Sequence, residues 1–161
     1  MEEIIAYRQQ LFSALRNVAS EVSQLGLAIP CDDWYITSGL DVTTPHYTLV
    51  HLRELEIQVF GLQLRCFLSE DTLLLPLFDD VSWMAEHYDP SETAQAIVEK
   101  FTCLRSQEVL WLEDLSPESW NRSARHPWWV CEPYSGGWNY SWTILISICV
   151  SCRHSFLYDF P

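Results

Sequence analysis

The stretch Thr44-Pro-His-Tyr-Thr-Leu-Val-His-Leu-Arg-Glu-Leu-Glu-Ile-Gln-Val-Phe-Gly-Leu62 opens with a hydroxyl residue followed by proline, a pair that starts helices. The threonine oxygen can accept from an unpaired first-turn amide, and proline gives up only an amide that would lack a partner there. Beyond that start, Leu52, Leu55, Val59, Leu62 and Cys66 recur at steps of three and four with Leu49 nearby, so one helical face is apolar. The helix is predicted to run to about Leu68, where Ser69-Glu-Asp breaks it.

Upstream, Ile4, Tyr7, Leu11, Leu15, Val18, Val22 and Leu25 keep the same spacing, with Gly26 where a helix C-cap belongs. A loop containing Pro30, Asp32, Asp33 and Gly39 follows. Downstream, Leu73 to Leu77 contains Pro76 and reads as a connector, and Phe78-Asp-Asp opens a short helical turn through Trp83 to Tyr88. Asp89-Pro90-Ser-Glu supplies a cap and proline for a third long helix, with Ala94, Ile97, Phe101, Leu104 and Trp111 as its stripe, ending near Leu115. Ser116-Pro117-Glu118 repeats the start signal for one more turn. No repeat or glycine-rich phosphate loop appears, and no segment alternates long enough to demand a sheet. The fold class is all-α, and three apolar stripes call for a fourth helix after His126 to close a bundle.

The composition sets bounds on partners. A chain of 161 residues that is 48% apolar makes one domain with one core. A net charge of −13, with Lys100 the single lysine, argues against a nucleic-acid partner. Apolar runs are too short for a membrane helix and the start lacks a basic-then-apolar signal, so the expectation is a cytoplasmic protein without a membrane partner, its six cysteines thiols or ligands. These averages conceal a break near residue 127. Residues 128–161 carry only Glu132, Arg153 and Asp159 as charges, yet hold Trp128, Trp129, Trp138 and Trp142 and three cysteines.

Three motifs in order carry a resemblance: His51-Leu-Arg-Glu-Leu-Glu56 on the second helix, Leu77-Phe-Asp-Asp80 with Trp83 and Tyr88 after it, and Leu115-Ser-Pro-Glu-Ser-Trp-Asn-Arg-Ser-Ala-Arg-His-Pro127. Over residues 1–127 the chain resembles the DinB-like family of four-helix bundles. The resemblance implies a divalent metal (Zn, Ni, Fe or Mn) held by three histidines, one on the second helix and two spaced by four on the last. His51 matches the first. No His-x-x-x-His follows Pro127, so the remaining two have no counterpart.

The genetic code offers a reason. If one base was lost from a G-run spanning Trp129 and Val130, the original codons straddle the present residues. Trp129 with Val130 then encodes glycine, Trp138 with Asn139 glutamate, Asn139 with Tyr140 leucine, and Trp142 with Thr143 aspartate. Each junction ending at Cys131, Trp138, Trp142, Cys149 or Cys152 must encode leucine, methionine or valine. The hidden frame can be read as an amphipathic helix ending in His-x-x-x-His on its apolar face, where two imidazoles one turn apart reach one ion. Residues 1–129 are therefore expected to form a DinB-like body and residues 130–161 an aberrant, frameshifted tail, with the fourth helix lost or disordered.

Each candidate residue has a plainer reading. His51 could be a satisfied structural histidine, and the resemblance is what favours a ligand. Glu56, five residues on, reads as a solvated carboxylate, and Asp32-Asp33 and Asp79-Asp80 as loop charge or caps. Cys149-x-x-Cys152-x-His154 looks like half a zinc site, with Cys131 the nearby further thiol, but a misframed tail accounts for it as well. His126 suits loop packing, and His46 and His87 show no partner. Trp34, Trp83, Trp111 and Trp120 read as core and loop anchors. The resemblance implies a metal-dependent hydrolase or thiol transferase acting on an unknown small molecule, impaired in this chain, with no metal bound tightly. The alternative is a noncatalytic helical binding or dimerisation module whose open groove makes a homodimer.

Overall fold

The structure, a computed structural model, describes residues 2–37, 43–62, 65–66, 78–121, 123–124 and 140–141. Among them α1 spans Glu2–Ala28, α2 Pro45–Leu55, α3 Asp80–His87 and α4 Ala94–Glu113. A π-helical turn, Glu56–Gly61, extends α2, and Leu62, Arg65 and Cys66 are helical beyond it. Short 3₁₀ turns lie at Cys31–Asp33 and Ser119–Asn121, and the two-residue strands β1 (Ser123–Ala124) and β2 (Tyr140–Ser141) pair antiparallel. The architecture is the all-helical bundle expected. No helix among the described residues is long and apolar enough to cross a membrane. The expected fourth helix, Cys131, Cys149, Cys152 and His154 of the tail, and His126 fall outside the described residues, as does the rest of the expected tail apart from Tyr140–Ser141.

The α2 start follows its sequence: the Thr44 side chain accepts from the Tyr47 amide at 3.2 Å, with Pro45 next in the chain. On α1 the apolar stripe buries Leu11, Leu15, Val18 and Val22 as read, together with Phe12 and Ala19. Gly26 is not its C-cap, because the helix continues to Ala28. A Cβ at Gly26 would meet Val98 Cγ2 at 2.8 Å, so this glycine lets α1 and α4 approach closely. The α4 cap also differs. Thr93 accepts from the Ala96 amide, while Asp89 folds a tight turn of its own by accepting from the Ser91 amide at 2.8 Å.

One core joins these elements: Val18 and Val22 of α1, Trp34 after the first 3₁₀ turn, and Leu49, Val50 and Leu52 of α2 meet Met84 of α3 and Ile97, Val98 and Phe101 of α4. Farther along, the inner faces depart from the expected stripes. In the π-helical turn after α2 the buried residues are Glu56, Phe60 and Gly61, whereas Leu62 is 46% exposed. On α4, Arg105 and Glu108 are buried, while Leu104 and Trp111 are half-buried. Glu56 continues the Leu49–Leu52 line at helical spacing, and a charge opposite on α4 lets it remain inside. Trp120 anchors the chain after α4 to α1, edge-on to Phe12 with the Arg8 guanidinium 4.4 Å from its ring centre.

Candidate metal centre

His51 lies nearly two turns beyond the α2 start, on the side that meets α3. The facing residue is set by a cap: the Asp79 side chain accepts from the Ser82 amide at 3.1 Å, and α3 begins at Asp80. The Asp79 carboxyl is held below its ordinary range by the Ser82 backbone and side-chain hydrogen bonds. Asp80 is thereby free to reach across, and its Oδ2 lies 2.9 Å from His51 Nε2. Both side chains are partly open to solvent, 31% for His51 and 43% for Asp80. One turn farther along both helices, Trp83 Nε1 donates to Glu54 Oε2 at 3.3 Å. Two polar rungs, each pairing residues three apart on α2 and α3, therefore join these helices.

Around the rungs the charges are matched. Arg53 bonds Glu54 and, at 2.6 Å, Glu92 in the α3–α4 turn, and Lys100 reaches the other Glu92 oxygen at 2.6 Å. Burial pushes the Glu92 carboxyl up, but the Arg53 and Lys100 bonds outweigh it and leave the carboxyl below the ordinary range. His46, without a partner in the sequence reading, is fully buried. Its Nδ1 meets Tyr88 Oη at 2.9 Å and its Nε2 the Glu92 carbonyl at 2.7 Å, which makes it a structural imidazole. His87 bonds the Trp83 carbonyl and stacks on the Trp83 ring.

Glu56 corrects the solvated reading. It is 1% exposed and accepts from Arg105 Nη2 at 2.6 Å, inside the bundle. Burial and the neighbouring Glu108 raise its pKa well above the ordinary carboxyl range, and the Arg105 charge only partly opposes them. Gly61 makes room for this cluster, since a Cβ there would stand 2.7 Å from Glu108 Oε1. Glu56 Oε1 and Arg105 Nε have no hydrogen-bond partner among the described residues. The cluster is a charged pair and a second carboxyl inside the core.

The donor set at His51 and Asp80, one imidazole and one carboxylate already hydrogen-bonded to each other, falls short of a complete site for a divalent cation. It supplies two donors, one fewer than the protein set of a typical catalytic zinc site. No cluster of three or more metal-ligating side chains occurs among the described residues. The sequence does not mark Asp80 as the partner of His51, because the Asp79-Asp80 doublet reads as capping charge. Its only sequence signal is the position one past the cap, which turns it toward α2.

No protein-family model and no curated protein matches the chain. Among solved structures it is similar to YfiT from Bacillus subtilis, described as a probable metal-dependent hydrolase with an unusual four-helix bundle topology. The TM-score is 0.77 at 14% identity, covering 94% of this chain and 82% of that one. At that identity the likeness concerns the fold, and the chain accordingly has the four-helix-bundle fold of YfiT, the architecture expected from the sequence resemblance.

Proposed function

We propose that the parent of this chain is a divalent-metal protein of the bundle type, a hydrolase or thiol transferase, in which His51 is the α2 ligand. The observation that carries the reading is the half-open His51 imidazole beside a carboxylate at 2.9 Å, in a fold shared with a protein described as a probable metal-dependent hydrolase. When bound, such an ion would polarise a water or a thiol and so supply a nucleophile near neutral pH. His51 would bind it and Asp80 would offset its charge. The buried His46, held at both ring nitrogens, keeps the start of α2 in place beneath them.

The missing histidine pair is assigned to a frame lost near Trp129, and this chain is accordingly an impaired, weak metal binder. Sequencing the encoding DNA tests that part: a stop codon before the His-x-x-x-His, or codons for other residues there, refutes it. Metal analysis of purified protein tests the site. Metal lost on His51→Ala and retained on Cys149→Ser supports the bundle centre, and the reverse pattern supports a zinc site in the tail.

A further inference from the structure

We infer that Glu56 and Glu108 share a single proton inside the bundle, and that its loss drives Glu108 away from Gly61 and frees the π-helical turn from α4, a pH-operated latch. The inference is independent of the metal reading above.

The placement of the two carboxyls carries it. Glu56, Arg105 and Glu108 are 1%, 2% and 9% exposed, so water screens none of them well. Arg105 Nη2 is spent on Glu56 Oε2 at 2.6 Å, and Glu56 Oε1 is buried without a hydrogen-bond partner among the described residues. The Glu108 carboxyl is within hydrogen-bonding reach of Glu56. Two carboxyls in contact inside a core do not both ionise beside one guanidinium. A proton between them gives each a partner and leaves the cluster of three neutral.

The turn is built against the second carboxyl. A Cβ at Gly61 would stand 2.7 Å from Glu108 Oε1 and 3.2 Å from the Glu56 carbonyl oxygen, so Glu108 lies on bare backbone where the π-helical turn closes. Such turns within α-helices frequently mark functional positions. The other charges near the turn are engaged elsewhere: His51 with Asp80, Arg53 with Glu54 and Glu92, and Arg65 with its guanidinium 6.0 Å from the Trp111 ring centre. Among the described residues, Arg105 and Glu108 of α4 are the charges that act on Glu56, so the two carboxyls titrate as a unit. The closed turn holds its proton above the ordinary carboxyl range. Closure is therefore complete below that range and is lost as pH rises through the folded value.

Full-length protein, followed against pH by the infrared carbonyl stretch of protonated carboxyls and by amide hydrogen exchange, tests the latch. At about pH 6, where ordinary carboxyls are ionised, wild type is expected to retain one protonated-carboxyl band that further titration removes. Protection of the Phe60 and Gly61 amides, corrected for the intrinsic rate, should fall by up to about tenfold per pH unit and level off once the band is gone. Glu108→Gln and, as a second variant, Glu108→Ala remove the repulsion, so Glu56 ionises beside Arg105. The band should vanish at about pH 6 and the protection lose its pH dependence. A band that persists in either folded variant belongs to a solitary buried acid and overturns the sharing, as does the lack of any band in folded wild type. Flat wild-type protection while the band titrates overturns the latch. So does protection equal to that of the Val18 and Val22 amides in α1, which report opening of the whole bundle.

Discussion

Arg105→Met should cost this bundle far more than the loss of an ordinary ion pair. Arg105 is 2% exposed and its 2.6 Å bond to Glu56 compensates a carboxylate that is 1% exposed. Breaking a buried pair from one side typically costs about 3–5 kcal/mol, because the remaining charge has neither water nor partner. For a chain of this size that corresponds to roughly 6–20 °C in Tm. The surface pair Arg16–Glu113 has the same 2.6 Å length but side chains 51% and 36% exposed, so Arg16→Met should stay within about 0.5 kcal/mol. The loss should also depend on pH. Glu56 has a raised folded-state pKa, so folding takes up a proton there. Its contribution to stability is complete below the ordinary carboxyl pKa and fades as pH rises through the folded value. Removing Arg105 raises that pKa further, which extends the fading to higher pH and makes the variant weakest in mildly alkaline buffer. Urea denaturation at pH 5, 7 and 8.5 measures this, with Glu56→Gln/Arg105→Met as the rescue. If Arg105→Met costs no more than Arg16→Met, or the double variant recovers nothing, the buried-pair reasoning fails.

Other substitutions test the packing. Gly26→Ala gains about 1 kcal/mol of helix propensity but meets Val98 Cγ2 at 2.8 Å, so it should raise the melting temperature only in a Val98→Ala background. An equal gain in both backgrounds would show that the helices do not meet there. His46→Phe fills the buried volume but strands the Glu92 carbonyl and Tyr88 hydroxyl, costing about 1–3 kcal/mol in chemical denaturation. At α3, the cap made by Asp79 has a lowered pKa, so its support is present above the ordinary carboxyl range and lost as pH falls through the folded value. The protection of the Ser82 amide, its exchange rate divided into the intrinsic rate at the same pH, should therefore fall in acid, and Asp79→Asn should flatten that dependence.

The parts of the fold legible in the sequence were those with local causes. Thr44-Pro45 and Ser116-Pro117 declare their turns through a hydroxyl and a proline, and the α1 stripe needs only helical spacing. Misread positions are those at which a distant residue decides. Glu56 looks like surface because it is charged, and only Arg105, 49 positions away, makes it interior. Gly26 looks like a cap because glycine ends helices, and only Val98 shows that it accommodates a neighbour. At the candidate centre His51 was legible through a motif, whereas Asp80 required the cap at Asp79 to be known first. The π-helical turn at Glu56–Gly61 left no periodic trace, since its residues obey helical spacing on either side.

Glu92 gathers four groups into one turn: the Arg53 guanidinium, the Lys100 amine, and, through its carbonyl, the His46 ring, which Tyr88 holds from the other side. Because Lys100 is the single lysine of the chain and its side chain is 60% exposed, amine-reactive reagents have one side-chain target. Acylation there erases one of the two cations on Glu92 without touching the helix backbone. The one side-chain amine thus coincides with the junction of α2, α3 and α4, and a dye attached to it would report on that junction.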